Sequence, residues 1–222
     1  IGEVLTMFFG VVLVKQIGLH GEENAVLLPL AATQILWINL VTDGAPALAL
    51  GVDPADPDVM KRMPRSRAEG ILTVQMWLGI FLVGAIMATG TLLVLDASLP
   101  GGFLAGSGDM RYAQTMAFTT LMMFQLFNVF NARSDEQSAF QGLFQNHWLW
   151  SAIGLSLTLH VLVIYLPFLQ NAFSTTALNA RDWLFCAIVA SSVLWLRELS
   201  KLVTRARRHR LGFRPNPERN PL

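Results

Sequence analysis

Six long apolar stretches divide the chain, over about 1–18, 26–52, 71–97, 113–132, 148–168 and 182–203. About twenty apolar residues cross a bilayer as a helix, so each stretch is long enough to span, with some tilt. The runs are continuously apolar and do not alternate residue by residue as in a membrane β-barrel. A spanning segment must also satisfy its own backbone hydrogen bonds, which a helix does. The pattern therefore predicts an all-α membrane protein of six transmembrane helices. The glycine-rich stretch Leu99 to Gly108, LPGGFLAGSG, reads as a flexible outer loop, with Asp96 solvated at the helix end before it. Trp148, Trp150 and Trp183 fall at expected helix ends, where aromatic belts form. No internal repeat links the spans.

Composition sharpens this picture. Of 222 residues, 53% are hydrophobic and only 14% charged, against roughly 25% charged in soluble chains. A disordered chain, a collagen-like chain and a disulfide scaffold are excluded, the last because Cys186 is the one cysteine. The basic residues are placed unevenly. Lys61, Arg62, Arg65 and Arg67 follow the second stretch, Arg133 follows the fourth, and eight more lie after Leu196. The alternate loops hold only Arg111 and Arg181. The excess marks the cytoplasmic side and puts the C-terminus there. The expected organisation is a membrane domain over 1–203 and a basic cytoplasmic tail over 204–222. That tail reads as a topology anchor, with contacts to membrane lipid. Ile1 opens inside an apolar run with no basic n-region and no cleavage site, which reads as a piece of a larger protein.

Polar residues inside the spans carry the candidate chemistry, because a charge at the bilayer centre costs a few kcal/mol (~3) even on the lenient insertion scale. In the second stretch Asn39 and Asp43 are four apart and share a helix face, with Thr42 beside them. Gly44 and Pro46 follow at once, and Pro46 has no N–H for the carbonyl of Thr42. A locally opened helix frees oxygen ligands of the kind that bind ions in broken transporter helices. Glu3 in the first stretch adds a second carboxyl. Gln125, Asn128 and Asn131 form a polar strip on the fourth. A site of Glu3, Asn39, Thr42, Asp43 and Gln125 is rich in oxygen, carries two negative charges and suits one divalent cation such as calcium, magnesium or manganese. The plainer role for Asn128 and Asn131 is hydrogen bonding between helices. His160 reads as a packing residue, and Glu198 as an interfacial residue beside Lys201.

At this point the residues resemble a known family. The run QILWINLVTDGAPALALGVDPADPDVMKRMPR, Gln34 to Arg65, is similar to the sixth membrane helix and following loop of P-type cation-transporting ATPases, nearest to reticulum-type and bacterial calcium pumps. IGEV at Ile1 resembles the fifth helix and FQLFNVFNAR from Phe124 the eighth. The resemblance implies that the chain corresponds to helices five to ten. It implies that Asn39, Thr42 and Asp43 bind calcium and that Glu3 is a ligand and a proton carrier on the return step. It also implies that Asp56 and Asp58 sit in the loop that couples the membrane site to phosphorylation, where a third acidic position of the family is Lys61 here. Gln125 stands where reticulum-type pumps have Glu. There the chain resembles plasma-membrane-type pumps, which move a single calcium per cycle.

The sequence holds no DKTG phosphorylation motif, no nucleotide-binding domain and no TGE loop. Mg2+ and ATP are therefore expected in cytoplasmic domains outside it, and the expected partners are those domains, the missing N-terminal helices and membrane lipid, with no nucleic acid. The chain is expected to be the ion-binding, multi-pass membrane part of an ion-translocating ATPase that exports calcium by alternating access. The expected setting is a bacterial plasma membrane or a eukaryotic organelle membrane. The alternatives are a pump for manganese, sodium or protons, and a structural or regulatory module with no ion passage.

Overall fold

A computed structural model describes residues 1–13, 28–53, 72, 74–100, 103–104, 106–132, 144 and 146–210. Among these residues the chain is helical and contains no strand. Helix α1 covers Gly2–Val12. The second apolar stretch forms three consecutive pieces: α2 (Ala32–Trp37), a π-helical turn (Ile38–Asp43) and α3 (Gly44–Gly51). Then come α4 (Val74–Ser98), α5 (Met110–Ala132), α6 (His147–Tyr165), α7 (Pro167–Phe173) and α8 (Ala180–Arg210). The loop holding Asp56, Asp58 and Lys61 lies outside the described residues, as does the end of the basic tail. Helix α8 runs as one helix through the 203/204 boundary drawn from sequence.

Among the described residues three segments are long and apolar enough to cross a membrane: Met76–Ser98, His147–Tyr165 and Ala180–Leu202. Helix α5 is equally long, but Arg111, Gln114, Gln125, Asn128 and Asn131 lower its hydropathy. Its apolar residues face protein. Met116, Phe118, Leu121, Met122 and Phe124 are fully or almost fully buried along it, and its main packing partners are α4 and α8. Helix α1 leans on α4, and α3 leans on α6. A side chain at Gly10 would run into the ring of Pro29, so this glycine lets the start of the second stretch approach α1. Small residues at such crossings are how membrane helices gain close contact.

Hydroxyls inside the bundle mostly bond their own helix. Thr115 Oγ1 donates to the Arg111 carbonyl at 2.7 Å and Thr120 Oγ1 to the Met116 carbonyl at 2.8 Å. His160 is the packing residue expected: its ring lies 4.6 Å from that of Phe118, and Nε2 is 3.1 Å from Thr119 Oγ1. The Lys201–Glu198 pair forms at 3.3 Å.

Two expectations are corrected. The fifth stretch does not continue to Phe168 as one helix. Leu166 is extended (φ −82°, ψ 121°) ahead of Pro167, which starts α7; the proline ring disfavours helical geometry in the residue before it. Asp96 is not solvated. It is 1% exposed, and its carboxylate accepts from the backbone N–H groups of Phe103 (3.0 Å) and Leu104 (2.7 Å). Gly106 N–H and Gly108 N–H donate to the Leu99 and Ser98 carbonyls. Four hydrogen bonds therefore tie the glycine-rich connection to the end of α4.

Candidate cation site

The opened turn sits where the sequence pattern placed it. In a π turn the backbone bond runs to the fifth residue instead of the fourth, which widens the helix locally, and such turns recur at functional sites. Ile38 and Thr42 are buried, while Asn39 and Asp43, also four apart, lie on the open face. The π turn thus separates the polar residues into two sets. Asn39 and Asp43 face outward from the helix toward α1, and Thr42 faces inward.

Glu3 is the hub of the outward set. Its Oε2 accepts from Asn39 Nδ2 at 2.7 Å, and its Oε1 accepts from Gln125 Nε2 at 3.4 Å. Three elements separate in sequence (α1, the π turn and α5) therefore meet through one carboxylate. Asn39 Nδ2 also reaches the Ile35 carbonyl at 3.0 Å. Asp43 is close enough to Glu3 for their charges to interact. Asp43 and Gln125 line a cavity of about 300 Å³ together with Asn128, Asn131 and Arg197. Four of the five residues singled out from sequence are thus brought to one place. The fifth, Thr42, is joined to the others by no hydrogen bond; its Oγ1 is buried with no hydrogen-bond partner among the described residues.

Asn131 behaves as interhelical glue, its Nδ2 donating to the Val193 carbonyl on α8 at 3.4 Å. Sequence reasoning missed Arg197, which was counted only as a basic residue of the C-terminal end. It also missed Ser156, whose Oγ donates to the Val41 carbonyl inside the π turn at 2.8 Å, and Asn146. The Asn146 side chain caps α6 at Leu149 N and donates to the Ala49 carbonyl and to Asp53 Oδ1, both at 2.9 Å. A polar residue just before an apolar run was the available signal for that cap.

Among the described residues no three His, Cys, Asp or Glu side chains converge. The assembly is two carboxylates with two side-chain amides, whose nitrogens donate to Glu3 here; with no thiolate or imidazole among them, these groups suit a hard cation and not a soft metal.

A family model described as "Cation transporting ATPase, C-terminus" matches residues 27–203. Among curated proteins, the chain is 38% identical over 188 residues to "Calcium-transporting ATPase 1" of Yarrowia lipolytica, covering 84% of this chain and 19% of that protein. It is 38% identical over 184 residues to the "Calcium-transporting ATPase" of Bacillus subtilis, covering 83% and 19%. It is 41% identical over 176 residues to the human "Calcium-transporting ATPase type 2C member 2", covering 78% and 18%. The chain spans about a fifth of the length of these relatives.

Proposed function

Because this chain belongs to the cation-transporting ATPase family, as a stretch of its C-terminal region, we propose that it forms the ion-binding part of an ATP-driven calcium pump. The transported ion is the substrate, held at one site by Glu3, Asn39, Asp43 and Gln125; Thr42 faces the other way here and becomes a fifth oxygen ligand when the wide turn rotates on ion binding. The single observation that carries this reading is Glu3, whose carboxylate gathers the Asn39 and Gln125 amides beside Asp43. Two carboxylates held close together repel, and a divalent cation between them removes that repulsion.

In this reading all six stretches cross the membrane, residues 1–203 form the membrane domain, and 204–222 form a cytoplasmic tail. Helix α1 and the opened turn change their relative position as access alternates between the two sides. Asp56 and Asp58 transmit phosphorylation from domains outside this chain, where ATP and Mg2+ act. Asn39 and Asp43 are exposed in this chain, and the earlier helices of the full pump cover them.

The test is radioactive calcium binding to the full-length pump in detergent, wild type against Asp43→Asn, with manganese as competitor. The expected result is about one calcium per chain, lost in the variant. Preferential displacement by manganese moves the assignment to a manganese pump. A folded wild type that binds neither ion overturns the proposal.

A further inference from the structure

We infer that Ser156 is a positioning residue for the cation site: its hydroxyl holds the π turn open and thereby sets the cation affinity. The inference rests on reading Glu3, Asn39 and Asp43 as that site.

The argument starts from the backbone of the second apolar stretch. In the wide-turn register a carbonyl looks five residues ahead for its N–H, and in the ordinary register four. Five residues beyond Val41 stands Pro46, and four beyond Thr42 stands the same Pro46. Proline has no N–H. The ring thus removes the π-type donor of Val41 and the α-type donor of Thr42 at once. A buried carbonyl without a donor costs about 1–3 kcal/mol, so a wide turn at this place needs a donor from elsewhere.

Ser156 supplies it. The residue is fully buried on α6, and its Oγ donates to the Val41 carbonyl at 2.8 Å. Its neighbours on the same helix behave differently. Ser151 Oγ donates to the His147 carbonyl and Thr158 Oγ1 to the Gly154 carbonyl, each four residues back. That local bond is the ordinary choice for a helical hydroxyl. Ser156 instead crosses to another helix, and the carbonyl it meets lies between Asn39 and Asp43, the two residues that the wide turn presents on the open face. Without this donor the turn loses part of what balances it against the ordinary register, in which Asn39 and Asp43 present their oxygens differently to Glu3.

The experiment is equilibrium binding of radioactive calcium to the full-length pump in detergent, as a double-mutant cycle between Ser156→Ala and Pro46→Ala. Ser156→Ala is expected to weaken calcium binding about fivefold, the size of one buried neutral hydrogen bond. In the Pro46→Ala background the same change is expected to cost less than about twofold, because residue 46 then offers its own N–H to the Val41 carbonyl. Ser151→Ala, which removes a hydroxyl that bonds only its own helix, is expected to leave affinity unchanged. A purely structural role for Ser156 predicts equal losses in both backgrounds, and that result overturns the inference. So does a Ser156→Ala affinity within about twofold of wild type. If the wild-type pump itself binds no calcium, the site reading fails and this inference falls with it.

Discussion

Two parts of the molecule carry the same kinds of polar side chain and treat them in opposite ways. Along the buried face of α5, each hydroxyl has a partner close at hand: Thr115 and Thr120 bond the carbonyls one turn back, and Thr119 meets His160. In the π turn of the second stretch, Thr42 is as deeply buried, yet its hydroxyl has no partner among the described residues, while Asn39 and Asp43 lie on an open face. Both regions must satisfy the rule that a buried polar group is costly unless paired. The hydroxyls of α5 meet that rule internally, while Asn131 Oδ1 at its end, and Thr91 Oγ1 and His160 Nδ1 beside it, are buried with no partner among the described residues. The π turn leaves it unmet at Thr42 and gathers two carboxylates nearby, which fits the proposed cation site. A threonine in a membrane helix is therefore informative only together with its hydrogen-bond partner.

The comparison is sharpened most by Glu3→Gln. Removing one of two carboxylates from a partly buried site is expected to weaken calcium binding by about a hundredfold, since a unit charge at contact distance is worth a few kcal/mol (~4) at the edge of a protein. Equilibrium binding to the full-length pump reads this directly, and a change under about tenfold would remove Glu3 from the ligand set. Next is Asp96→Asn, which touches only the bundle. It weakens two charge-assisted bonds to Phe103 and Leu104 and is expected to cost about 2 kcal/mol of stability. A lowered unfolding midpoint in detergent with unchanged calcium affinity is the expected pair of readings.

The two threonines give the finest comparison. Thr42→Val keeps shape and removes an unpartnered hydroxyl, so it is expected to raise or preserve the stability of the ion-free protein. The same change is expected to weaken calcium binding about fivefold, the worth of one neutral ligand. Thr120→Val removes a hydroxyl bonded to its own helix and is expected to alter calcium affinity less than about twofold. If Thr120→Val lowers calcium affinity as much as Thr42→Val, the contrast between the two regions is not functional.

Much of this was legible in the sequence, for reasons that differ by element. The helices α4, α6 and α8 could be read because their apolar runs exceed a bilayer-spanning length. The pairing of Asn39 with Asp43 was legible from spacing alone, since four residues return to the same face in either register. The π turn itself was half legible. Pro46 announces a missing donor, but the hydroxyl that answers it belongs to Ser156, 115 positions away, and no local pattern points to it. Thr42 was read as standing beside Asn39 and Asp43, and the wide turn puts it on the other side of the helix. Asp96 was misread because its partners are backbone groups of a glycine-rich connection, which a composition argument treats as loose. The break at Leu166 was available in principle: the residue before a proline leaves the helical region, and hydropathy alone ignores that.

The wide turn between Ile38 and Asp43 also has a meaning for how such a chain changes over generations. A π turn is an α-helix that has accommodated one additional residue. Its presence means that a single in-frame codon separates two versions of this segment, one widened and one straight. Leu40 is 69% exposed and packs little, so loss of its codon would leave α2 and α3 able to form on either side while abolishing the opening between them. If the turn holds the proposed cation site, folding and ion handling are, at this one place, separately heritable.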